Sequence, residues 1–382
     1  MSSQNSNLTL SRRIEHLHAS PIREILSVIN QPGMISFAGG LPAPETFPSL
    51  SLEKMPTSRL QYGPTEGDPA LRARVANDLN ALGLKCTPDQ VLILSGSQQG
   101  IDLVAKLFID AGTSVAVESP TYLAALQVFR YFGARFTALD PRQPDAGLAD
   151  QRKPAFAYAI PTFQNPTGHC YSLAARQTLA HACDDLSLPL FEDDPYRDLV
   201  YDACDRTPIC TLIKRAPWIY QSSFSKSLAP GLRLGYLVAS EELMPYLIRL
   251  KQAADLHSNQ VSQWLVLKQL EDTDRPQRIA HVVDIYRRKR DIFEQGLAQH
   301  FKGLATWRQP AGGLFFWLTL NRMINTRSLL PEAIKRKVAF MPGEPFFADN
   351  PQACGAIRLN FSHATEAQIS QGLAILAEIC SP

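Results

Sequence analysis

The chain has 382 residues, of which 38 are basic and 36 acidic, so its formal net charge is +2. This balance provides neither a basic field for nucleic acid nor an acidic tail, and it does not indicate binding to an anionic lipid surface. A chain of this length can bury a large core and is expected to divide into more than one lobe.

Cysteine usage and the first residues indicate the cellular compartment. The seven cysteines are an odd number without metal-ligand spacing, so free buried thiols are expected. His169 with Cys170 and His181 with Cys183 could suggest metal ligands, but neither has a partner pair at zinc-finger spacing. Residues 1–10 lack the apolar core of a signal peptide, and no run approaches the roughly 20 apolar residues of a membrane helix. We therefore expect a cytoplasmic protein without a metal site or a membrane anchor.

From about residue 70 to residue 240, strand-like apolar runs alternate with helical patterns. The first run, 91–94, is followed by a turn of small residues and then by a helix with apolar positions at Ile101, Val104 and Phe108. Such alternation predicts an α/β fold with a mainly parallel, seven-stranded type of sheet between helices. The other strand candidates are 115–117, 155–160, 188–191, 218–221 and 234–239.

The segments after residue 240 predict a second, smaller unit. A charged helical stretch at 275–300 leads to a mixed segment and then to a final amphipathic helix near 366–379. Together with the N-terminal segment, these elements predict a small α+β domain. We expect this domain to comprise residues 1–48 and 285–382, and the large domain to comprise residues 49–284.

The run around Lys226 is the most informative motif, because it combines a lysine with hydroxyls and a guanidinium. A buried, partly neutralised amine forms an imine with an aldehyde more readily than a solvated ammonium does. Ser223, Ser225 and Arg233 are predicted to bind a phosphate, for which arginine offers a bidentate fork. Pyridoxal 5'-phosphate combines an aldehyde with a phosphate, so it is the expected cofactor. In isolation such a serine-rich run is more typical of a solvated loop, so other segments must decide.

Three other segments favour the same cofactor. The turn at 95–100 opens a helix and directs free backbone N–H groups toward an anion. Asn165 lies in a turn that follows an apolar strand, and Asp193 and Tyr196 follow another. A carboxylate such as Asp193 keeps a pyridine nitrogen protonated, which makes the ring an electron sink. Asn165 and Tyr196 can both bond the phenolic oxygen of the ring and tune the pKa of the imine.

Taken together, these segments resemble the fold-type I, pyridoxal-phosphate-dependent aminotransferases of class I and II. Within that group the chain is most similar to the α-aminoadipate and kynurenine aminotransferases and to the aminotransferase-like domain of MocR-type regulators. The matching segments run in the family's order and extend over nearly the whole chain. They are residues 20–23, 35–42, 60–64, 97–100, 119–122, 165–168, 193–196, 223–233, 312–317, 341–343 and 357–361.

The resemblance implies a role for each matching residue of the cofactor site. Lys226 resembles the lysine that holds the cofactor as a Schiff base and then shuttles a proton, with Asp193 and Tyr196 completing the catalytic set. Tyr122 resembles the aromatic residue that stacks on the cofactor ring. The remaining cofactor contacts match Ser97, Gln98, Asn165, Ser223, Ser225 and Arg233.

The resemblance also implies substrate contacts and a dimer. Arg358 resembles the arginine that binds the substrate's α-carboxylate, and Gly40 and Asn165 lie in segments expected beside the substrate. Tyr62 resembles a tyrosine that reaches across the interface of a homodimer into the neighbouring active site; an ordinary core or surface tyrosine is the alternative. Arg23, near a helix start with Ser20 as its cap and Pro21 following, resembles an arginine that contacts the distal group of long acidic or aromatic substrates.

The implied reaction is ping-pong transamination from an acidic, aromatic or aminoadipate-like L-amino acid to a 2-oxo acid, for which 2-oxoglutarate is expected. One alternative is a lyase or decarboxylase on the same fold, because the carbanion on this cofactor can partition in several ways. Another is a non-catalytic regulatory domain. MocR-type regulators carry a DNA-binding module of several dozen residues before the matching region, and the first motif here begins near Ser20, so we expect an enzyme. The single distal arginine does not choose between aminoadipate, glutamate, kynurenine, aromatic and branched-chain substrates.

Overall fold

The computed structural model describes residues 9–16, 31–144 and 153–381, in which strands and helices alternate along most of the chain. The strands are β1 (Ile35–Ser36), β2 (Val91–Leu94), β3 (Ser114–Val117), β4 (Arg135–Ala138), β5 (Ala157–Ala159), β6 (Leu190–Asp193), β7 (Trp218–Ser223), β8 (Gly235–Ala239), β9 (Ala305–Thr306), β10 (Phe315–Leu320), β11 (Val338–Ala339), β12 (Met341–Pro342) and β13 (Ala356–Asn360). The α-helices are α1 (Pro69–Ala81), α2 (Ser97–Phe108), α3 (Leu123–Tyr131), α4 (Leu173–Leu186), α5 (Met244–Asp255), α6 (Gln260–Glu271), α7 (Arg275–His300), α8 (Leu330–Lys335) and α9 (Glu366–Cys380).

The larger sheet has seven strands in the order β2-β8-β7-β6-β5-β3-β4. Strand β8 is antiparallel to both of its neighbours, whereas the strands from β7 to β4 run parallel. The prediction of a mainly parallel sheet between helices is therefore confirmed. Because parallel strands end at the same edge of a sheet, the segments that follow β3, β5, β6 and β7 lie close together.

Helices cover both faces of this sheet, and every residue of β2, β5 and β6 is buried. On one face α1, α4 and α6 contribute Leu71, Leu179 and Val266 to the core. On the other face α2, α3 and α5 form a second core, which includes Ile101 and Val104 as the apolar periodicity predicted. Because helices cover both faces of the sheet at β2, β5 and β6, these strands need no alternation of apolar and polar residues.

Strands from both ends of the described chain build the smaller unit. Strands β12, β13, β10 and β9 form an antiparallel sheet, and β1 pairs in parallel with β11. Its core is rich in phenylalanine: the Phe293 ring lies 5.1 Å from that of Phe37 and 5.3 Å from that of Phe316. The boundaries expected for the domains, residues 1–48, 49–284 and 285–382, stay a prediction.

Several helices begin where the sequence supplies a cap. The Asp68 carboxylate accepts a hydrogen bond from the backbone N–H of Leu71 at 2.9 Å, and Pro69 occupies the first position of α1. At the start of α9, Thr365 and Gln368 form a reciprocal capping box. These caps satisfy N–H groups that have no partner within the helix.

Most predicted strands are present with ends shifted by one or two residues, and one strand of the larger sheet was not predicted. Strand β4 was not predicted, because it is an edge strand without a fully buried residue and so lacks a strong apolar pattern. Strand β6 begins two residues later than predicted and extends to Asp193, so this carboxylate belongs to the strand itself. The helices predicted at 275–300 and 366–379 are present as α7 and α9. Within the described ranges, no helix combines the length and apolar character needed to cross a membrane.

Gly372 fixes how closely α9 approaches the N-terminal strand. A β-carbon at this position would lie 2.6 Å from Cζ of Phe37 and 2.9 Å from Cγ2 of Ile35. We expect Gly372→Ala to lower the free energy of unfolding by about 1–3 kcal/mol, because the clash outweighs the gain in helix propensity of roughly 1 kcal/mol. Urea denaturation measures this change. Gly231→Ala is the matched control, since its β-carbon would meet no atom within 4 Å, and an equal loss in both variants would contradict the packing argument.

Candidate active site

All ten residues that the sequence assigned to the cofactor line one cavity of about 260 Å³ at the carboxyl edge of the large sheet. Lys226 lies just after β7, Asp193 ends β6, and Tyr122 and Asn165 lie beyond β3 and β5. The cavity is lined by Ser97, Gln98, Tyr122, Ile160, Asn165, Asp193, Pro195, Tyr196, Ser223, Ser225, Lys226 and Arg233. The topology thus brings together residues that are up to 136 positions apart in the sequence.

The amine of Lys226 opens onto this cavity and donates a hydrogen bond to the carbonyl oxygen of Gly40 at 2.8 Å. Burial is the main cause that lowers the pKa of this amine to about 8, and the positive charges of Arg358 and Arg233 contribute to the same shift. A lysine in these surroundings is partly neutral near physiological pH, and only the neutral amine is a nucleophile or a base.

Asp193 is buried at the end of β6 and held by two donors. The hydroxyl of Tyr158 donates to Oδ2 at 2.8 Å, and Nε2 of Gln221 donates to Oδ1 at 3.0 Å. Burial raises the pKa of Asp193 to about 6, while these two hydrogen bonds oppose the rise. The carboxylate is therefore fixed in position and held ionised at neutral pH, ready to pair with a cation.

Sequence reasoning did not find Tyr158 and Gln221, although a polar side chain within a buried strand is a detectable signal. It also missed Glu118, whose Oε2 accepts a hydrogen bond from the backbone N–H of Ile160 at 2.8 Å. The hydroxyl of Tyr171 donates to the other carboxylate oxygen, and burial raises the pKa of Glu118 to about 7. These contacts hold both ends of the turn that carries Asn165.

The opposite end of the cavity is suited to an anion. Helix α2 begins at Ser97, and its N-cap is Gly96, which has no side chain to satisfy the free N–H groups. The guanidinium of Arg233 lies against this turn, so close that a β-carbon at Gly96 would lie 2.5 Å from its Nη2 atom. Arg233 itself has a φ of 49°, a left-handed conformation that costs a non-glycine residue about 1 kcal/mol or more. The backbone is thus strained at Arg233, the residue whose guanidinium lies at the N-terminus of α2.

Arg358, on β13 of the smaller sheet, approaches the cavity from the other lobe. Its Nη1 atom donates to Oδ1 of Asn165 at 2.8 Å, and Nη2 donates to the carbonyl oxygen of Ala38 at 2.6 Å. The rings of Phe315 and Phe346 lie 4.2 Å and 5.0 Å from the guanidinium carbon. Burial lowers the pKa of Arg358 to about 10, and its Nε atom is buried without a hydrogen-bond partner. An unpaired donor on a planar, buried guanidinium is suited to a carboxylate.

Two aromatic hydroxyls complete the polar lining. Burial raises the pKa of Tyr122 to about 12, and the negative charge of Asp193 acts in the same direction. Burial likewise raises the pKa of Tyr196, whose ring packs edge-on against Phe315 at 5.7 Å. Both phenols are therefore neutral donors at physiological pH.

Not every predicted site residue meets at the cavity. Tyr62 is 77% exposed, and its ring packs edge-on against His257 at 5.6 Å. Arg23 lies outside the described residues, as do Ser20 and Pro21. The described residues contain no group of three or more His, Cys, Asp or Glu side chains that could hold a metal ion.

The arrangement fits pyridoxal 5'-phosphate. An amine of lowered pKa can bond an aldehyde, the α2 turn with Arg233 can hold a phosphate, and the buried Asp193 carboxylate can pair with a protonated ring nitrogen. Each of these groups is positioned by contacts within the protein, as preorganised binding requires.

Comparisons with known proteins give the same indication. A family model described as "Aminotransferase class I and II" matches residues 36–376. The chain is 37% identical over 374 residues to the 2-aminoadipate transaminase of Thermus thermophilus, covering 94% of this chain and 92% of the relative. It is 35% identical over 382 residues to aromatic-amino-acid aminotransferase 1 of Thermococcus litoralis, covering 95% and 91%.

A solved structure is similar over almost the whole chain. The α-aminoadipate aminotransferase from Thermus thermophilus, complexed with N-(5'-phosphopyridoxyl)-L-leucine, superimposes with a TM-score of 0.88. It is 36% identical in sequence, and the match covers 97% of each chain. That relative binds a pyridoxal phosphate derivative of an amino acid.

The lowered pKa of Lys226 predicts how cofactor attachment depends on pH. In the cofactor-free protein, we expect the initial rate of covalent attachment of pyridoxal phosphate to rise with pH, to reach half of its maximum near pH 8, and to level off about one pH unit higher, where most of the amine is neutral. Absorbance after rapid mixing measures the rate, and Lys226→Ala gives the background. A rate that keeps rising to pH 10, as for a solvated lysine, would contradict the burial argument.

Proposed function

Since the chain belongs to the aminotransferase class I and II family, we propose that it transfers the amino group of an acidic, aromatic or aminoadipate-like L-amino acid to a 2-oxo acid, with 2-oxoglutarate as the acceptor. The protein is a pyridoxal-phosphate-dependent aminotransferase. We also propose that the two half-reactions follow a ping-pong order and that individual residues of the cavity have the roles given below.

The observation that carries the proposal is the presence of two unlike basic groups at one cavity: Lys226 lines it, and Arg358 bonds Asn165 in its wall. Lys226 has a lowered pKa and can act as a base, whereas Arg358 stays charged and presents a buried Nε without a partner. A substrate bound by its carboxylate to Arg358 would keep its α-carbon within the enclosed space that Lys226 faces. Transamination requires two such groups, because the carboxylate must be held while a proton leaves the neighbouring carbon.

Pyridoxal phosphate, when bound, supplies an electron sink that stabilises negative charge at the substrate's α-carbon. Asp193 would hold the positive charge of the ring nitrogen, and the hydrogen bonds from Tyr158 and Gln221 keep its carboxylate in place. The Nζ atom of Lys226 takes up the proton from the α-carbon and delivers it again, which its pKa of about 8 allows near neutral pH. Tyr122 and Tyr196 exclude water and contribute neutral hydroxyls.

We further propose a homodimer with active sites at the interface. Tyr62 and Leu60 support this assembly, because their side chains are 77% and 72% exposed and lie two residues apart. A homodimer would cover these two neighbouring apolar side chains, which water otherwise surrounds. A cytoplasmic location is also part of the proposal, and the free state of the seven cysteines supports a reducing compartment.

A panel of amino acids tests the reaction and its substrates together. The holoprotein is mixed with each amino acid in the absence of an oxo acid, and absorbance and mass spectrometry follow the cofactor and the product. We expect pyridoxamine phosphate and the matching 2-oxo acid with acidic, aromatic and aminoadipate-like amino acids. Lys226→Ala should form neither product. Release of ammonia with pyruvate, or of carbon dioxide, would instead indicate a lyase or a decarboxylase.

Replacement of Arg358 tests its proposed contact with the carboxylate. We expect Arg358→Lys to lower kcat/KM for the amino acid by roughly 100-fold, mainly through KM, because lysine cannot reproduce the planar guanidinium contacts. Arg290→Lys is the matched control: it removes an equally buried guanidinium, which donates to Asp202 and to the carbonyl oxygen of Pro310 away from the cavity. Steady-state kinetics of both variants decides, and an equal loss in both would contradict a specific role.

A further inference from the structure

A second group of reactive side chains lies outside the cofactor cavity. Cys170 follows the turn that carries Asn165, and Cys204 lies in the loop beyond β6. Both thiols are half-buried and line a separate, open cavity of about 1080 Å³. Both cysteines therefore border a space that small molecules in solvent can enter.

Cys170 and Cys204 lie close together, although they are 34 positions apart in the sequence. Sγ of Cys170 donates to the carbonyl oxygen of Asp205 at 3.1 Å, and both cysteines line the same cavity. Asp205 is the residue directly after Cys204. The fold thus places a second thiol beside the first, as disulfide formation requires.

A buried guanidinium faces the first sulfur atom. Nη2 of Arg176 donates to Sγ of Cys170 at 3.5 Å, and Arg176 has no exposed surface. The same guanidinium donates to the carbonyl oxygens of Pro161, Asp205 and Thr207 at 2.8, 3.0 and 3.0 Å. These bonds prevent it from turning away, so its positive charge remains beside the sulfur.

The surroundings separate the two thiols chemically. The neighbouring thiol of Cys204 is the main cause that lowers the pKa of Cys170 to about 7, and the guanidinium of Arg176, which donates to the same sulfur atom, acts in the same direction. The pKa of Cys204 is raised in turn. By contrast, burial raises the pKa of Cys354, the other half-buried cysteine, to about 12. Of the two neighbouring thiols, only Cys170 is suited to be the attacking thiolate.

We propose that Cys170 and Cys204 form an oxidisable dithiol, which hydrogen peroxide converts into an intramolecular disulfide. The Cys170 thiolate attacks one peroxide oxygen, the O–O bond breaks, and a sulfenic acid and hydroxide result. The thiol of Cys204 then attacks that sulfur, the S–O bond breaks, and water leaves with the thiol proton. The two sulfur atoms lose two electrons in total, and one peroxide is reduced to two waters.

Peptide mapping of the oxidised holoprotein tests this proposal directly. The native holoprotein is treated with one equivalent of hydrogen peroxide, its remaining thiols are alkylated in denaturant, and its peptides are analysed by mass spectrometry. We expect a cross-linked peptide pair that contains Cys170 and Cys204, lighter by two hydrogen atoms than the reduced pair and released by dithiothreitol. Oxidation of other cysteines while these two stay reduced would overturn the proposal.

Three variants separate the two roles. Cys204→Ser should stop at a sulfenic acid on Cys170 that dimedone captures, and Cys170→Ser should leave Cys204 reduced. Cys354→Ser, the matched control, should form the cross-link as the unmodified chain does. Loss of the cross-link in the control, or oxidation of Cys204 in the absence of Cys170 at an unchanged rate, would overturn the assignment of Cys170 as the attacking thiol.

Discussion

A single guanidinium joins the three parts of the molecule that surround the cofactor cavity. Arg358 belongs to the smaller sheet, its Nη1 atom bonds Asn165 beyond the larger sheet, and its Nη2 atom bonds Ala38 beyond β1. The contacts of this one buried cation, together with the hydrogen bond from Lys226 to Gly40, therefore hold the two lobes together at the cavity. Because those contacts occupy only the two terminal nitrogens, the arginine serves as a structural link while Nε remains available.

Such an arrangement is costly for stability. Burial of a cation without a full set of partners is unfavourable, and the lowered pKa values of Arg358 and Lys226 both express this cost. The strained backbone of Arg233 adds to it. The surrounding sheets, continuous in apolar contacts on both faces, supply the stability that allows these groups to stay in place. Strain and buried charge are concentrated where the protein binds and reacts, as is common in active sites.

The sequence predicted the cavity lining better than the groups behind it. Lys226, Asp193 and Arg233 were found because each lies in a motif whose residue types suit one cofactor. Tyr158 and Gln221 were not, because they belong to buried strands where the apolar pattern dominates and only the three-dimensional register brings them to Asp193. Glu118 was missed because its partners Ile160 and Tyr171 are distant in sequence. Arg176 was missed because a charged residue in a helix gives no sign that its side chain is buried. Strand β4 was missed because an edge strand need not be apolar. The roles expected for Tyr62 and Arg23 stay predictions.

Helix α7 is long and contacts both lobes of the molecule. Its 26 residues extend over about 39 Å at 1.5 Å per residue. The first residue, Arg275, is tied to Asp78 of α1 by an ion pair of 2.6 Å, whereas its later turns pack against α9 of the smaller lobe. The helix is thus held both at its first residue and along its later turns. A pivot of about 5° at Arg275 would displace His300 by roughly 3 Å over that length, so a small angular change in one lobe becomes a large linear displacement in the other.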